Sequence, residues 1–175
     1  MEGVCRTYLA EILIAGGSFA DGEQEALAAA AELGAAAPAL RVAALGVAAR
    51  ARLARGDAAA ALEATREAHG ALTVLGELEE GEAMVRLAHV EALAATGAKE
   101  EACAALAAAR TWLRARAERI AEPAWRHRLL HDVPVNARLL ALADEWAPQA
   151  AREGDPATPE LVTTGRAATG PNALA

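Results

Sequence analysis

Three turn glycines recur at a nearly constant interval, and this repeat constrains the fold of the chain more than any other feature. Gly17, Gly56 and Gly97 follow one another at spacings of 39 and 41 residues, and each separates two helical segments. Small residues, with valine in one case, recur at fixed distances from these glycines. Seven residues before them lie Ala10, Ala49 and Val90. Five residues after them lie Gly22, Ala61 and Ala102, and twelve residues after them lie Ala29, Ala68 and Ala109. Such side chains let paired helices pack closely, so the interval predicts a stack of helix pairs.

Alanine supplies most of the apolar content, and it indicates the fold class. Hydrophobic residues make up 54% of the chain, whereas aromatic residues make up only 3%. Alanine favours helices because it loses no side-chain entropy, and the aromatic and β-branched residues that strands prefer are sparse. We therefore predict an all-α fold. The eight predicted helices span about residues 3–15, 21–33, 38–55, 57–75, 77–95, 98–121, 123–132 and 134–146.

The helical segments form one predicted domain, which a region of different character follows. Residues 1–146 are predicted to form a repeat domain, with helix pairs at about 3–36, 38–76 and 77–121 and capping helices at 123–146. Asp57 is suited to an N-cap, while Pro38, Pro123 and Pro134 suit first-turn positions of helices. Residues 147–175 hold four of the seven prolines and lack hydrophobic periodicity. We predict that they form a disordered tail rich in proline and glycine.

The pattern of turn glycines between alanine-rich helices resembles the tetratricopeptide repeat over about residues 3–121. Leu13 and Leu93 occupy the large position four residues before a turn glycine. The resemblance implies a right-handed α-solenoid of antiparallel helix pairs, with helices longer than those of the usual repeat of about 34 residues. The chain also resembles the repeat arrays of bacterial signalling ATPases, MalT-type regulators and repeat-bearing Ser/Thr kinases, with WRHRLLHDVPVNARLLALADEW as a closing element. This second resemblance implies a part in bacterial signalling or regulation.

In a stack of this kind the first helix of each pair lines a concave face, where the resemblance implies that a partner binds. The repeat register places these residues on that face: Thr7, Glu11, Gly46, Arg50, Leu87 and Glu91. Mixed charges and small side chains suit a peptide or helix of a partner protein that is recognised largely by shape. Arg50 is available for a carboxylate. A passive scaffold, whose inner face only stacks on further repeats, stays open as an alternative.

A basic region offers a function of another class. Seven arginines lie between residues 110 and 138: Arg110, Arg114, Arg116, Arg119, Arg126, Arg128 and Arg138. With Trp112 and Trp125 among them, this face could serve a nucleic-acid-associated regulator. The net charge of −7 opposes broad affinity for nucleic acid. We favour a solvated helix end that complements the helix dipole, with tryptophans that seal the stack.

Two histidines four residues apart raise the question of a metal site. On a helix, His127 and His131 fall on one side, and Trp125 and Leu129 fall on the other, so we expect the histidines outside and the tryptophan inside. Arg128 stands where a metalloprotease motif needs glutamate, and no third ligand is apparent. The sequence also lacks a phosphate-binding loop and a nucleophile motif. We predict neither enzymatic activity nor a cofactor or metal.

The first helix is apolar on more than one side. Its apolar residues are Val4, Tyr8, Leu9, Ile12 and Leu13. Because the terminal repeat of a solenoid needs a polar cap, we expect either upstream repeats in a longer parent chain or a face that buries a partner or a second copy. No apolar run approaches the length of a membrane span, and the N-terminus is a poor signal peptide. We therefore expect a cytoplasmic protein, in which Cys5 and Cys103 are free thiols.

Overall fold

The residues that the structure describes form eight helices joined by turns, and they contain no strand. The predicted all-α class is therefore confirmed. The computed structural model describes residues 1–78 and 80–153, with side chains as far as residue 146. The helices are α1 (Glu2–Ala15), α2 (Phe19–Leu33), α3 (Pro38–Ala54), α4 (Ala58–Leu75), α5 (Glu82–Ala95), α6 (Lys99–Glu118), α7 (Pro123–His131) and α8 (Pro134–Glu153). Within this part of the chain, none of the helices combines the length and apolar character that a membrane crossing requires.

The three turn glycines build the same local structure. Gly17, Gly56 and Gly97 have φ angles of 84°, 81° and 83°, which glycine adopts without the steric cost of a side chain. After each glycine a backbone N–H bonds to the carbonyl five residues before it: Ser18 to Leu13 at 2.8 Å, Asp57 to Arg52 at 2.9 Å and Ala98 to Leu93 at 3.0 Å. This hydrogen bond is that of a Schellman motif, so the glycine interval repeats one helix end three times.

Other helix ends follow the predicted local chemistry. Pro38, Pro123 and Pro134 are the first residues of α3, α7 and α8, where a missing N–H leaves no hydrogen bond unmade. Asp57 caps α4, because its carboxylate accepts a hydrogen bond from the backbone N–H of Ala60 at 3.1 Å. These helix starts therefore depend on contacts between residues close in sequence.

Two predicted boundaries were wrong. The fifth helix begins at Glu82 rather than at residue 77, because Gly76 and Gly81 both have positive φ angles, which a right-handed helix does not contain. The last helix continues past Trp146 to Glu153 and includes Pro148, a residue that ordinarily interrupts a helix. Residues 147–153 of the predicted tail are thus helical, and residues 154–175 lie outside the described residues.

Alternate helices share one side of the molecule. Each helix packs on the next one along the chain, and in addition α1 packs on α3, α3 on α5 and α5 on α8. No comparable contact joins α2, α4 and α6 to one another in the described part of the chain. The helices α1, α3 and α5 therefore lie side by side, with α2, α4 and α6 behind them, and α8 packs against both α5 and α6.

The recurring small residues fill the helix interfaces. All nine are buried, including Ala10, Ala49 and Val90, whose side chains have no exposed surface. Gly46 is buried as well, and a Cβ atom there would lie 2.7 Å from Cγ2 of Val85 on α5. A side chain at Gly46 would therefore force α3 and α5 apart. The predicted position of Gly46 on the partner-binding face was wrong, because the close approach of α5 covers it.

Candidate functional site

The helices α1, α3, α5 and α8 enclose two adjoining pockets, which together we call the groove. The N-terminal pocket lies between α1, α3 and the turn before α5, and the C-terminal pocket lies between α3, α5 and the start of α8. The two pockets share Glu11 and Met84. The five remaining predicted partner-binding residues all line the groove: Thr7 and Glu11 in the first pocket, and Glu11, Arg50, Leu87 and Glu91 in the second.

An apolar floor and an acidic rim form the N-terminal pocket. Its apolar wall includes Val4, Leu40 and Met84. At the rim the Tyr8 hydroxyl donates a hydrogen bond to the Glu80 carboxylate, with oxygen-to-oxygen distances of 3.2 and 3.3 Å. The negative charge of Glu80 raises the pKa of Tyr8 above its ordinary value, because it disfavours ionisation of the phenol. The Tyr8 ring stays 48% exposed.

Glu11 lies where the two pockets meet. Burial raises the pKa of the Glu11 carboxyl above its ordinary value, and the charge of Glu80 raises it further. The Arg50 guanidinium opposes both effects without cancelling them. The charged form of Glu11 is therefore incompletely compensated by its surroundings.

The C-terminal pocket has a volume of about 420 Å³ and carries charges of both signs. Arg50 is exposed, and its Nη1 lies 3.6 Å from the sulfur of Met84. Among the described residues, no carboxylate lies within ion-pair distance of Arg50. Burial raises the pKa of Glu91, although the nearby charges of Arg138 and Arg50 lower it. The pocket thus offers guanidinium donors and a carboxylate acceptor on partly apolar walls.

Arg138 joins α8 to the groove, and sequence reasoning assigned it to the basic face instead. Its Nε lies 3.9 Å from Oε1 of Glu91, and its Nη1 donates to Glu145 at 3.0 Å. Tyr8, Glu80 and Met84 were also missed as groove residues. The Tyr8–Glu80 contact joins residues 72 positions apart, and no local pattern in the sequence indicates it.

The basic region is largely engaged within the chain. Arg119 pairs with Glu77 at 2.5 Å, and Arg116 lies 3.9 Å from the same carboxylate. Arg126 donates to the carbonyl of Ile120, and Arg138 donates to Glu145. Arg128 lies over the ring of Trp125, 5.1 Å from its centroid. Most of these guanidinium groups therefore already have partners that a nucleic-acid backbone would have to displace.

The histidines of α7 lie outside, as expected, but the tryptophan does not lie inside. His127 and His131 are exposed, with ring centroids 4.5 Å apart. Within the described residues, no group of three or more histidine, cysteine or acidic side chains is placed to hold a metal ion. Trp125 is 61% exposed, so its predicted inward position was wrong. Leu130 packs on the core in its place, on the side where α7 contacts α6 and α8.

A second histidine pair, which sequence reasoning missed, lies between α4 and α5. The rings of His69 and His89 stack with centroids 4.6 Å apart, and Nδ1 of His89 lies 3.1 Å from Oγ1 of the buried Thr65. Burial lowers the pKa of His89 to about 4, and the charges of His69 and Arg66 contribute. The signal was the repeat register: the two histidines adjoin the recurring small positions 68 and 90, which pack at helix interfaces.

The two pockets of the groove bring apolar and charged side chains together. The groove combines an apolar floor with guanidinium donors and with carboxylates whose charges are only partly balanced. Thr7 adds less, since its hydroxyl already donates to the carbonyl of Gly3 at 2.9 Å. No family model, no curated protein and no solved structure matches this chain.

Proposed function

We propose that the chain is a protein-interaction module whose groove binds a peptide segment or a helix of a partner protein. The observation that carries the proposal is the groove itself. Four helices that are not consecutive in sequence bring their side chains to one continuous pair of pockets. A pocket of this size, with apolar walls and a few polar groups, is typical of ligand-binding sites.

We propose further that the helices form an α-solenoid of the tetratricopeptide type, with about three helix pairs and a cap formed by α7 and α8. Three observations support this architecture. The helix ends at Gly17, Gly56 and Gly97 share one hydrogen-bond pattern, the recurring small residues are buried, and the first helices of successive pairs contact one another while the second helices do not in the described chain. Contacts on one side alone are typical of a curved stack, whose inner helices lie closer together.

The cellular role follows from the resemblance to bacterial repeat arrays. We propose that the module acts in the cytoplasm, in a signalling or regulatory protein, without catalysis or a cofactor of its own. The charges in the groove support recognition rather than chemistry, since Arg50 and Glu91 are suited to main-chain carbonyl and N–H groups of a bound segment. A nucleic-acid role is less well supported, because ion pairs and carbonyl contacts engage most of the basic region.

A random peptide library displayed on phage and panned against the immobilised full chain tests the groove. We expect selected peptides whose binding to the wild-type protein, measured by fluorescence anisotropy, weakens at least about tenfold in the Arg50→Glu variant. Arg114→Glu is the matched control, because Arg114 is exposed on α6 and lies outside the groove. If every selected peptide binds the Arg50→Glu variant as tightly as the wild-type protein, the proposed function is wrong.

A further inference from the structure

We propose that the N-terminal pocket of the groove recognises a basic side chain, a lysine or arginine of the bound peptide. This inference rests on the proposed function and specifies the chemistry of the partner. It follows from four features of the pocket: the apolar floor, the acidic rim, the exposed ring of Tyr8 and the way in which the fold brings Glu80 to this place. Each feature fits one part of a basic side chain.

The floor matches the aliphatic part of such a side chain. Val4, Leu40, Ala43 and Met84 line the pocket beneath the rim. Lysine and arginine have stems of three or four methylene groups, which lie on apolar surface while the charged end stays at the water boundary. Leu40 is an exposed apolar side chain in the unbound protein, so the stem would also remove apolar surface from water.

The rim matches the charged end. Glu11 and Glu80 line the pocket, and no arginine or lysine is among the described residues that line it. Burial is the main cost of the Glu11 charge, and repulsion from the Glu80 carboxylate adds to it, so the pKa of Glu11 is raised. A cation between them would relieve both costs, since an opposite charge stabilises the ionised form.

Tyr8 adds a third contact. Its hydroxyl is held by Glu80, which fixes the ring beside the carboxylates. The face of an aromatic ring attracts a cation because of its quadrupole. The same hydrogen bond also orients Glu80, so the acidic rim exists before any ligand binds.

The fold builds this acidic rim. Gly81 has a φ angle of 82°, and a Cβ atom at this position would lie 2.9 Å from Cβ of Ala43 on α3. Only glycine therefore allows the turn to approach α3 so closely, and this approach brings Glu80 to Tyr8. Glu82 then fixes the turn, because its buried carboxylate accepts a hydrogen bond from the backbone N–H of Leu78 at 2.9 Å.

Other occupants fit this pocket less well. An acidic side chain would add a third negative charge beside Glu11 and Glu80. An apolar side chain would desolvate these carboxylates without giving either a partner, which is costly. A metal ion would need a third protein ligand, and the described residues place no such group of three here.

The peptides selected with the groove provide the test. We expect lysine or arginine to be enriched at one position among those whose binding depends on Arg50. Replacing that lysine by norleucine keeps the stem and removes the charge, so affinity should fall about tenfold or more. The Glu80→Gln variant should bind the lysine peptide about as weakly as the wild-type protein binds the norleucine peptide. Its affinity for the norleucine peptide should change much less. Glu63→Gln, at an exposed site on α4, is the control and should change neither.

The outcomes separate this inference from the proposed function. Peptides that depend on Arg50 but bind equally well with lysine and norleucine would overturn the basic-side-chain inference and leave the proposed function standing. An absence of peptides that depend on Arg50 would overturn both. The norleucine comparison needs no change in the protein, so an effect of Glu80→Gln on folding could not produce a false result.

Discussion

At the residue scale, Glu82 is a charged side chain of which the fold leaves only 3% exposed. Its Oε1 accepts hydrogen bonds from Nε and Nη2 of Arg86 at 2.9 and 2.7 Å, and its Oε2 accepts one from Leu78. The Glu82→Ala substitution would leave the N–H of Leu78 without its acceptor and the Arg86 guanidinium without its carboxylate. We expect the free energy of unfolding, measured with urea, to fall by about 3 kcal/mol.

Glu100→Ala is the control for this prediction, because Glu100 is an exposed acidic residue in the first turn of α6. It should lose less than about 1 kcal/mol. A loss for Glu82→Ala that is no larger than this would show that the turn between α4 and α5 does not depend on the buried carboxylate.

The histidine pair between α4 and α5 predicts a dependence of stability on pH. The pKa of His89 is about 4, against an ordinary value of 6.5. As pH falls below 6.5, the unfolded chain binds a proton that the folded chain does not, so stability is lost from about pH 6.5 towards about pH 4. His69, whose pKa burial also lowers, acts in the same direction.

We expect the urea midpoint of the wild-type protein to fall more between about pH 7 and about pH 5 than that of the His89→Gln variant. The matched control is His127→Gln, at an exposed position on α7, which should keep the pH dependence of the wild-type protein. Equal losses in the wild-type protein and in His89→Gln would contradict the effect of burial on His89.

At the scale of helices, substitutions at two glycines, Gly46 in α3 and Gly70 in α4, distinguish the effect of helix packing on stability from the effect of intrinsic helix propensity. A Cβ atom at Gly46 would meet Cγ2 of the fully buried Val85 at 2.7 Å, whereas a Cβ atom at Gly70 would meet nothing within 4 Å. Alanine favours a helix over glycine by about 0.5–1 kcal/mol. We expect Gly70→Ala to raise the free energy of unfolding by about this amount, and Gly46→Ala to lower it by about 1–3 kcal/mol. Thermal or urea unfolding measures both, and stabilisation by Gly46→Ala would show that α3 and α5 can separate without cost.

The helix ends show which parts of the fold could be predicted from the sequence. Pro38, Asp57 and Gly56 act through residues near them in the chain, so the structure places these ends close to where local chemistry predicts. The start of α5 was wrong because acidic residues favour a first helical turn, while the turn geometry depends on Gly81 and its contact with α3. The predicted inward position of Trp125 was wrong for a related reason. A helical wheel shows which side chains point the same way, but it does not show which side of the helix a neighbouring helix covers.

The groove was predictable only in part. The repeat register identified Glu11, Arg50 and Glu91, because residues on the first helix of each pair follow the same interval. The acidic rim was not predictable, since Tyr8 and Glu80 meet through a tertiary contact across 72 positions. The repeat interval and the hydrophobic periodicity therefore predict which helix face lines the groove. The charged groups on that face also depend on turns, which the periodicity does not describe.

At the scale of the whole molecule, α1 leaves an apolar face uncovered within the described chain. Ile12 is 69% exposed and Leu9 is 44% exposed, whereas Val4 and Leu13 are half-buried. Because burial of apolar surface drives association, we expect the mass measured by light scattering to rise with protein concentration. The Leu9→Gln/Ile12→Gln variant should stay monomeric over the same range, and a wild-type protein that stays monomeric at high concentration would contradict the expectation.

Residues 76–81 connect two surfaces of the molecule that lie on different helices. Glu77 holds Arg119 of α6, and three positions later Glu80 holds Tyr8 of α1. Because one short segment of backbone carries both carboxylates, we expect occupancy of the groove and the ionic contacts of α6 to be thermodynamically linked. Such linkage is reciprocal. If a cation bound at Glu80 weakens the Glu77–Arg119 ion pair by some free energy, then loss of that ion pair strengthens binding of the cation by the same free energy.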